Sequence, residues 1–171
     1  WKESGAVAGV VMTAAAVAGV LRPMLAEVNI VNAPLIAKER GIAIAETYRD
    51  DAENFESVIR LRIVTERQDR TVSGALFGQT PRIVEIKGVE MEASFSPNML
   101  YVTNADKPGF IGALGQTLGA ANVNIATFNL GRSAPGADAI ALLAVDEKVS
   151  DAVLEKVSAL PNVKQAKALT F

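Results

Sequence analysis

The sequence predicts an α+β protein in two parts: an α/β-type region over residues 1–96 and a ferredoxin-like βαββαβ domain over residues 97–171. Three observations predict it. Apolar residues group in helix-like runs up to Arg40, then from Ile42 to Phe95 the period falls to two. Ser96-Pro97-Asn98 is a short turn-forming linker between the two rhythms. Beyond it strand and helix alternate: strand 99–103, helix 109–121, strands 123–130 and 139–145, helix 150–159 and strand 163–169, two βαβ halves in all.

With 171 residues and 50% hydrophobic content, the chain can bury one generous core or two small ones. A formal charge of −2, with no basic stripe and 5% aromatic residues, excludes a nucleic-acid surface. Cysteine and histidine are both absent, which removes disulfides, thiol nucleophiles, imidazole bases and nearly every transition-metal site. No metal site is expected, and a reducing cytoplasm fits. The opening Trp1-Lys2-Glu3-Ser4 suggests a piece of a longer polypeptide, with chemistry upstream.

Taken in order, Gly5–Leu21 approaches the length of a bilayer span but is mostly Ala, Gly and Val, with Thr13 inside and Arg22-Pro23 closing it. No membrane segment is expected there. The run instead predicts a short strand at Val7–Met12 and a helix from Thr13 to Leu21. A second helix follows through Leu35–Arg40, with Pro34 in its first turn and Gly41 as its stop. Asn32 stands where that helix opens, either as its N-cap or as an anion-facing amide. Strands are expected at 42–45, 57–64, 71–77, 82–86 and 89–95, in a sheet with helices on one face. Residues 58, 60 and 62 share one face of their strand, and Ile59, Leu61 and Ile63 share the other, so one side alone should be buried. In the second part, Ser150 is a natural N-cap for a helix burying Val153, Leu154, Val157 and Leu160.

The stretch Met99–Arg132 carries the chemistry. Helix 109–121 offers a core stripe of Ile111, Leu114, Leu118 and Ala121, and a nearly bare stripe of Gly112, Gly115 and Gly119. Each glycine costs a helix roughly 1 kcal/mol relative to alanine, so a close backbone or a ligand must use the space. At the head of the helix, in Asp106-Lys107-Pro108-Gly109, Asp106 can cap or offer a carboxylate and Gly109 lets a ligand approach free N–H groups. A zwitterionic amino acid suits such a place. Its carboxylate would face the helix start and its ammonium would meet Asp106 or the amide of Asn124.

These residues also carry a resemblance. Residues 99–171 resemble an ACT domain through Asp106-Lys107-Pro108-Gly109 and the run Gly119–Ile125 (GAANVNI). Residues 1–98, above all Val28–Ile42 and Ser73–Gly88, resemble the allosteric substrate-binding domain that precedes it in long-form D-3-phosphoglycerate dehydrogenases. The resemblance implies a regulatory region of an NAD-dependent enzyme, homo-oligomeric and joined to upstream catalytic domains, in which L-serine binds between ACT domains of two subunits. Carried over by position, Asn104, Asp106, Gly109 and Asn124 would hold serine. Arg82, with Lys87 and Arg132 as neighbours, would serve a phosphorylated or anionic small molecule, and Asn32 is a further anion-site candidate through its place at a helix start. Gly112, Gly115 and Gly119 lie too deep in a helix to form a dinucleotide turn, so no cofactor and no catalytic residue are expected in the fragment itself. The rival expectation is an assembly module whose ligand site is vestigial.

Overall fold

The computed structural model describes residues 2–47 and 57–171, with side chains from Gly9 onward in the first helix; Trp1 lies outside the described residues. The chain divides into two compact units, Trp1–Asp51 and Ala52–Phe171.

The first unit is a pair of helices, α1 (Lys2–Leu21) and α2 (Ala33–Glu39). The strand expected at Val7–Met12 is part of α1. β-Branched residues favour a strand only where neighbours form a ladder, and the alanines that continue this run favour the helix. Ala18 and Leu21 on one helix and Ala33 and Ala37 on the other are buried together with Val28, and the alanines allow close approach. Pro34 sits in the first turn of α2. Gly41, at φ +69°, ends it in a Schellman arrangement: Gly41 N–H donates to Lys38 C=O at 3.0 Å and Ile42 N–H to Ala37 C=O at 2.9 Å. Residues 42–45, expected to be a strand, form no ladder, and Ile42 and Ile44 are exposed. Among the described residues no helix is long and apolar enough to cross a membrane.

The second unit holds two antiparallel sheets. β1 (Val58–Val64), β2 (Asp69–Phe77), β3 (Thr80–Ile86) and β4 (Val89–Ser94) form a meander in that order. The other sheet has the order β6-β7-β5-β8, from β5 (Asn98–Ala105), β6 (Ile125–Arg132), β7 (Asp138–Val145) and β8 (Val163–Thr170). With α3 (Phe110–Ala120) and α4 (Asp151–Ser158) it makes the βαββαβ fold. One face of this sheet, through Leu100, Val102, Ala141, Leu143 and Val145, packs on Leu114, Leu118, Val153 and Val157 of the helices. The opposite face presents Met99 and Leu142 to Ile83 and Ala93 of the meander. Within this unit the meander's apolar face is therefore covered by a second sheet, where helices were expected. β1 lies at the sheet edge, so Ile59 and Ile63 remain exposed, contrary to the one-sided burial its alternation suggests.

The run Gly119–Ile125 is read directly by the backbone. Asn122 takes a left-handed conformation (φ +54°), its N–H donates to Gly119 C=O at 3.0 Å, and Val123 N–H donates to Leu118 C=O at 2.9 Å. This is a second Schellman stop, sealed by buried Val123 and leading into β6. Ser150 caps α4 as expected, its Oγ accepting from Val153 N–H at 3.4 Å.

Candidate functional site

β5 and α3 meet at a half-open cleft of about 430 Å³, lined by Asn104, Asp106, Lys107, Pro108, Gly109, Phe110, Ile111, Gly112, Leu130 and Arg132. Its geometry follows from the turn between them. Asp106 N–H is bound to Ala137 C=O at 2.9 Å and Ala105 N–H to Asn162 C=O at 2.9 Å, which fixes both ends of the strand's exit. Gly109 then adopts φ +91°, a left-handed value that favours glycine, and starts α3 without any side-chain cap. The N–H groups of the first helical turn are consequently unused by side chains.

Asp106 does not cap the helix, as the sequence suggested it could. Its Oδ2 accepts from Arg132 Nη1 at 2.7 Å and from Gly136 N–H at 3.1 Å. The Arg132 hydrogen bond first, and the Gly136 N–H second, hold its carboxyl below the usual carboxylate range. Both bonds fall on one oxygen, and Oδ1 accepts no hydrogen bond among the described residues. Asn104 is 1% exposed. Its Nδ2 donates to Ala105 C=O at 2.8 Å, which settles which end of the amide is which, and leaves Oδ1 as a buried acceptor without a partner. Ile111, assigned to the core stripe by spacing, is half exposed at the cleft, and Phe110 is buried in its stead.

Asn124 is elsewhere. It precedes Ile125 at the start of β6, whereas Arg132 ends it, and Asn104 pairs with Ala139, the partner of Arg132. An eight-residue strand spans roughly 25 Å. Asn124 thus lies at the opposite end of the sheet from Asp106 of its own chain, where its Nδ2 donates to Asp146 Oδ2 at 2.6 Å. The expectation that the two share one edge of the sheet therefore fails within the chain.

Each residue expected at an anion site has its own local neighbours. Arg82 pairs with Glu92 and stacks over Phe77, 5.2 Å from its centroid. Lys87, in a left-handed conformation, lies over Tyr101 at 5.4 Å and borders a shallower hollow with Arg60, Arg62, Asp69, Thr71 and Gly88. Arg132 belongs to the Asp106 cleft. Asn32 occupies the N-cap position but its side chain makes no cap: Oδ1 accepts from Asn29 N–H at 2.8 Å and Nδ2 donates to Glu27 C=O at 3.1 Å, closing the loop before α2. Its amide is spent on that loop. In each case a carboxylate, an aromatic ring or a carbonyl already engages the group.

Two contributors escaped sequence reasoning. Gly136 N–H reaches Asp106 from a loop 30 residues on, and the only sequence signal was the turn-prone Pro135-Gly136 pair. Glu85 organises the outer face of the meander. It accepts from Arg60 Nη2 at 2.9 Å, Gly88 N–H at 3.0 Å, Ser73 Oγ at 3.1 Å and Thr71 Oγ1 at 3.2 Å. Gly112, Gly115 and Gly119 lie inside α3, and a Cβ on any of them would meet nothing within 4 Å. They leave an open helical face and form no pyrophosphate-binding turn.

Comparison with known proteins agrees with this architecture. Residues 3–87 match the D-3-phosphoglycerate dehydrogenase intervening domain, and residues 98–162 match the ACT domain. The chain is similar to D-3-phosphoglycerate dehydrogenase of Methanocaldococcus jannaschii, 34% identical over 90% of this chain and 29% of the relative. It is also similar to the enzymes of that name from Bacillus subtilis, 32% identical over 92% of this chain and 30% of the relative, and from Archaeoglobus fulgidus, 34% identical over 91% and 30%. It spans about three-tenths of the length of the curated relatives it matches. The chain belongs to the D-3-phosphoglycerate dehydrogenase family, as a regulatory region in which an intervening domain precedes an ACT domain.

Proposed function

We propose that this chain is the serine-sensing region of a cytoplasmic, NAD-dependent D-3-phosphoglycerate dehydrogenase, and that it binds L-serine between the ACT domains of two copies. The observation that carries the reading is the cleft itself. Asp106 Oδ1 and the orphaned Asn104 Oδ1 are acceptors for an ammonium or hydroxyl, and the free N–H groups after Gly109 are donors for a carboxylate. Asn124 enters from a second copy, because its own chain carries it to the far end of β6. The open face of α3, with Gly112, Gly115 and Gly119, is the surface along which the copies approach. Serine would favour one placement of the subunits over another, through a difference in affinity between the two states, and so act on upstream dehydrogenase domains. NAD belongs to those upstream domains.

The assembly reading keeps one point in its favour: Asp106 already has Arg132 as a partner. Calorimetric titration with L-serine separates the two. Heat from the intact chain, lost in Asp106→Ala, is expected for a sensor; no heat at millimolar serine defeats it and leaves assembly.

A further inference from the structure

The groups named so far receive an ammonium well and a carboxylate poorly. Asp106 leaves a carboxylate oxygen open at the cleft, Asn104 lines it with a buried acceptor, and the helix-start N–H groups carry only a partial charge. Two cations line the cleft, Lys107 and Arg132. Lys107 is exposed, with no bond to hold its ammonium in place among the described residues. Arg132 is held: one of its five N–H donors is fixed at 2.7 Å on Asp106 Oδ2, and it makes no other hydrogen bond among the described residues. Its side chain is 52% exposed, so the rest of the fork is reachable.

We propose that Arg132 is the specificity-determining residue of this site, its guanidinium receiving the α-carboxylate of a free amino acid while Asp106 Oδ1 and Asn104 Oδ1 receive the α-ammonium. The proposal rests on the amino-acid reading above and deepens it. Four facts converge on it. Both existing bonds to Asp106 use Oδ2, leaving Oδ1 open. The buried Asn104 acceptor has no donor among the described residues, and an ammonium is one. The Asp106–Arg132 pair is neutral as a unit, so a zwitterion matches it, whereas a phosphate carrying nearly two negative charges meets Asp106 as a like charge. Finally, the guanidinium fork can hold Asp106 with one edge and a ligand carboxylate with another, which an ammonium on a lysine stem cannot do with the same geometry. Arg132 therefore acts where the sequence assigned it no amino-acid role: it favours ligands with a carboxylate over simple amines, while Asp106 beside it disfavours phosphorylated anions.

The test is a titration of the isotope-labelled full chain by nuclear magnetic resonance, following the backbone amides of residues 106, 107 and 109–112, with L-serine and with L-serinamide, whose carboxylate is replaced by a neutral amide. Arg132→Gln is expected to weaken L-serine roughly tenfold or more, as loss of a charge-assisted pair should. The same change is expected to leave L-serinamide within about twofold, since only the carboxylate partner is removed. Arg132→Lys is expected to recover part of the loss. Equal weakening of both ligands would overturn the proposal, assigning Arg132 to the positioning of Asp106 alone; so would unchanged serine affinity. Failure of the amino-acid reading is distinguishable, because the wild-type amides would then respond to neither ligand, and both conclusions would fall together.

Discussion

Asp106 and Glu85 are both carboxylates held ionised by several donors, yet they do different work. Asp106 lies at the mouth of a cleft, with one oxygen bonded and the other open. Its pKa is depressed, so its contribution is present above its ordinary value of 3.8 and is lost as pH falls through the lower folded value. With no histidine in the chain, L-serine affinity is expected to be flat between about pH 5 and 8 and to fall only below about pH 4, which titrations in a pH series will show. A step near pH 6.5 would place another group in control. Glu85 is structural: burial works to raise its pKa, but the Gly88 N–H, the Ser73 hydroxyl, the Arg60 charge and the Thr71 hydroxyl together lower it. Removing it strands several donors, among them the hydroxyl of Ser73, a residue 1% exposed. Glu85→Ala is expected to cost about 2–3 kcal/mol in urea unfolding. Arg60→Ala, which removes only the exposed end of the network, is expected to cost under about 1 kcal/mol.

At the level of elements, glycines on neighbouring segments have opposite meanings. A Cβ on Gly131 of β6 would stand 2.5 Å from Glu90 C=O and 2.7 Å from Val89 Cγ1, so β4 crosses β6 at a distance only glycine permits. Gly131→Ala is expected to push the two sheets apart and destabilise the unit by about 1–3 kcal/mol in thermal or urea unfolding. Gly115→Ala meets nothing within 4 Å and removes a helix-interior glycine. In the isolated monomer it is expected to stabilise α3 by up to about 1 kcal/mol. Much of this half was legible beforehand, because its signals are local: Ser150 marks a helix start through its own side chain, and the strand–helix alternation needs no distant partner. The first 50 residues were less legible. Val7–Met12 has the composition of a strand, but the helix that absorbs it is decided by the alanines after it and by packing against α2. Ile42–Ala45 alternates like a strand, yet a strand exists only with a partner.

The molecule as a whole is two compact units, the second of which stacks the meander on the sheet that carries the cleft. Strand order explains why the ligand site was only half readable. Asn104, Asp106 and Gly109 lie within six residues of one another at the end of β5 and the turn after it, whereas the contributions of Arg132 and Gly136 arise from antiparallel pairing with β7 and from a loop conformation. Asn124 stands on the signature run, but its distance from Asp106 appears only once β6 is placed in the sheet. That separation makes a sharp test of a site shared between copies. Asp106→Ala and Asn124→Ala chains, each unable to bind L-serine alone, are mixed, unfolded and refolded together, and titrated by calorimetry. If serine is held between two copies, each mixed dimer carries one intact site, with Asp106 from one chain and Asn124 from the other, and serine binding returns at wild-type affinity with reduced stoichiometry. If the mixture stays silent while wild-type chain taken through the same refolding binds serine, the two residues do not meet across an interface.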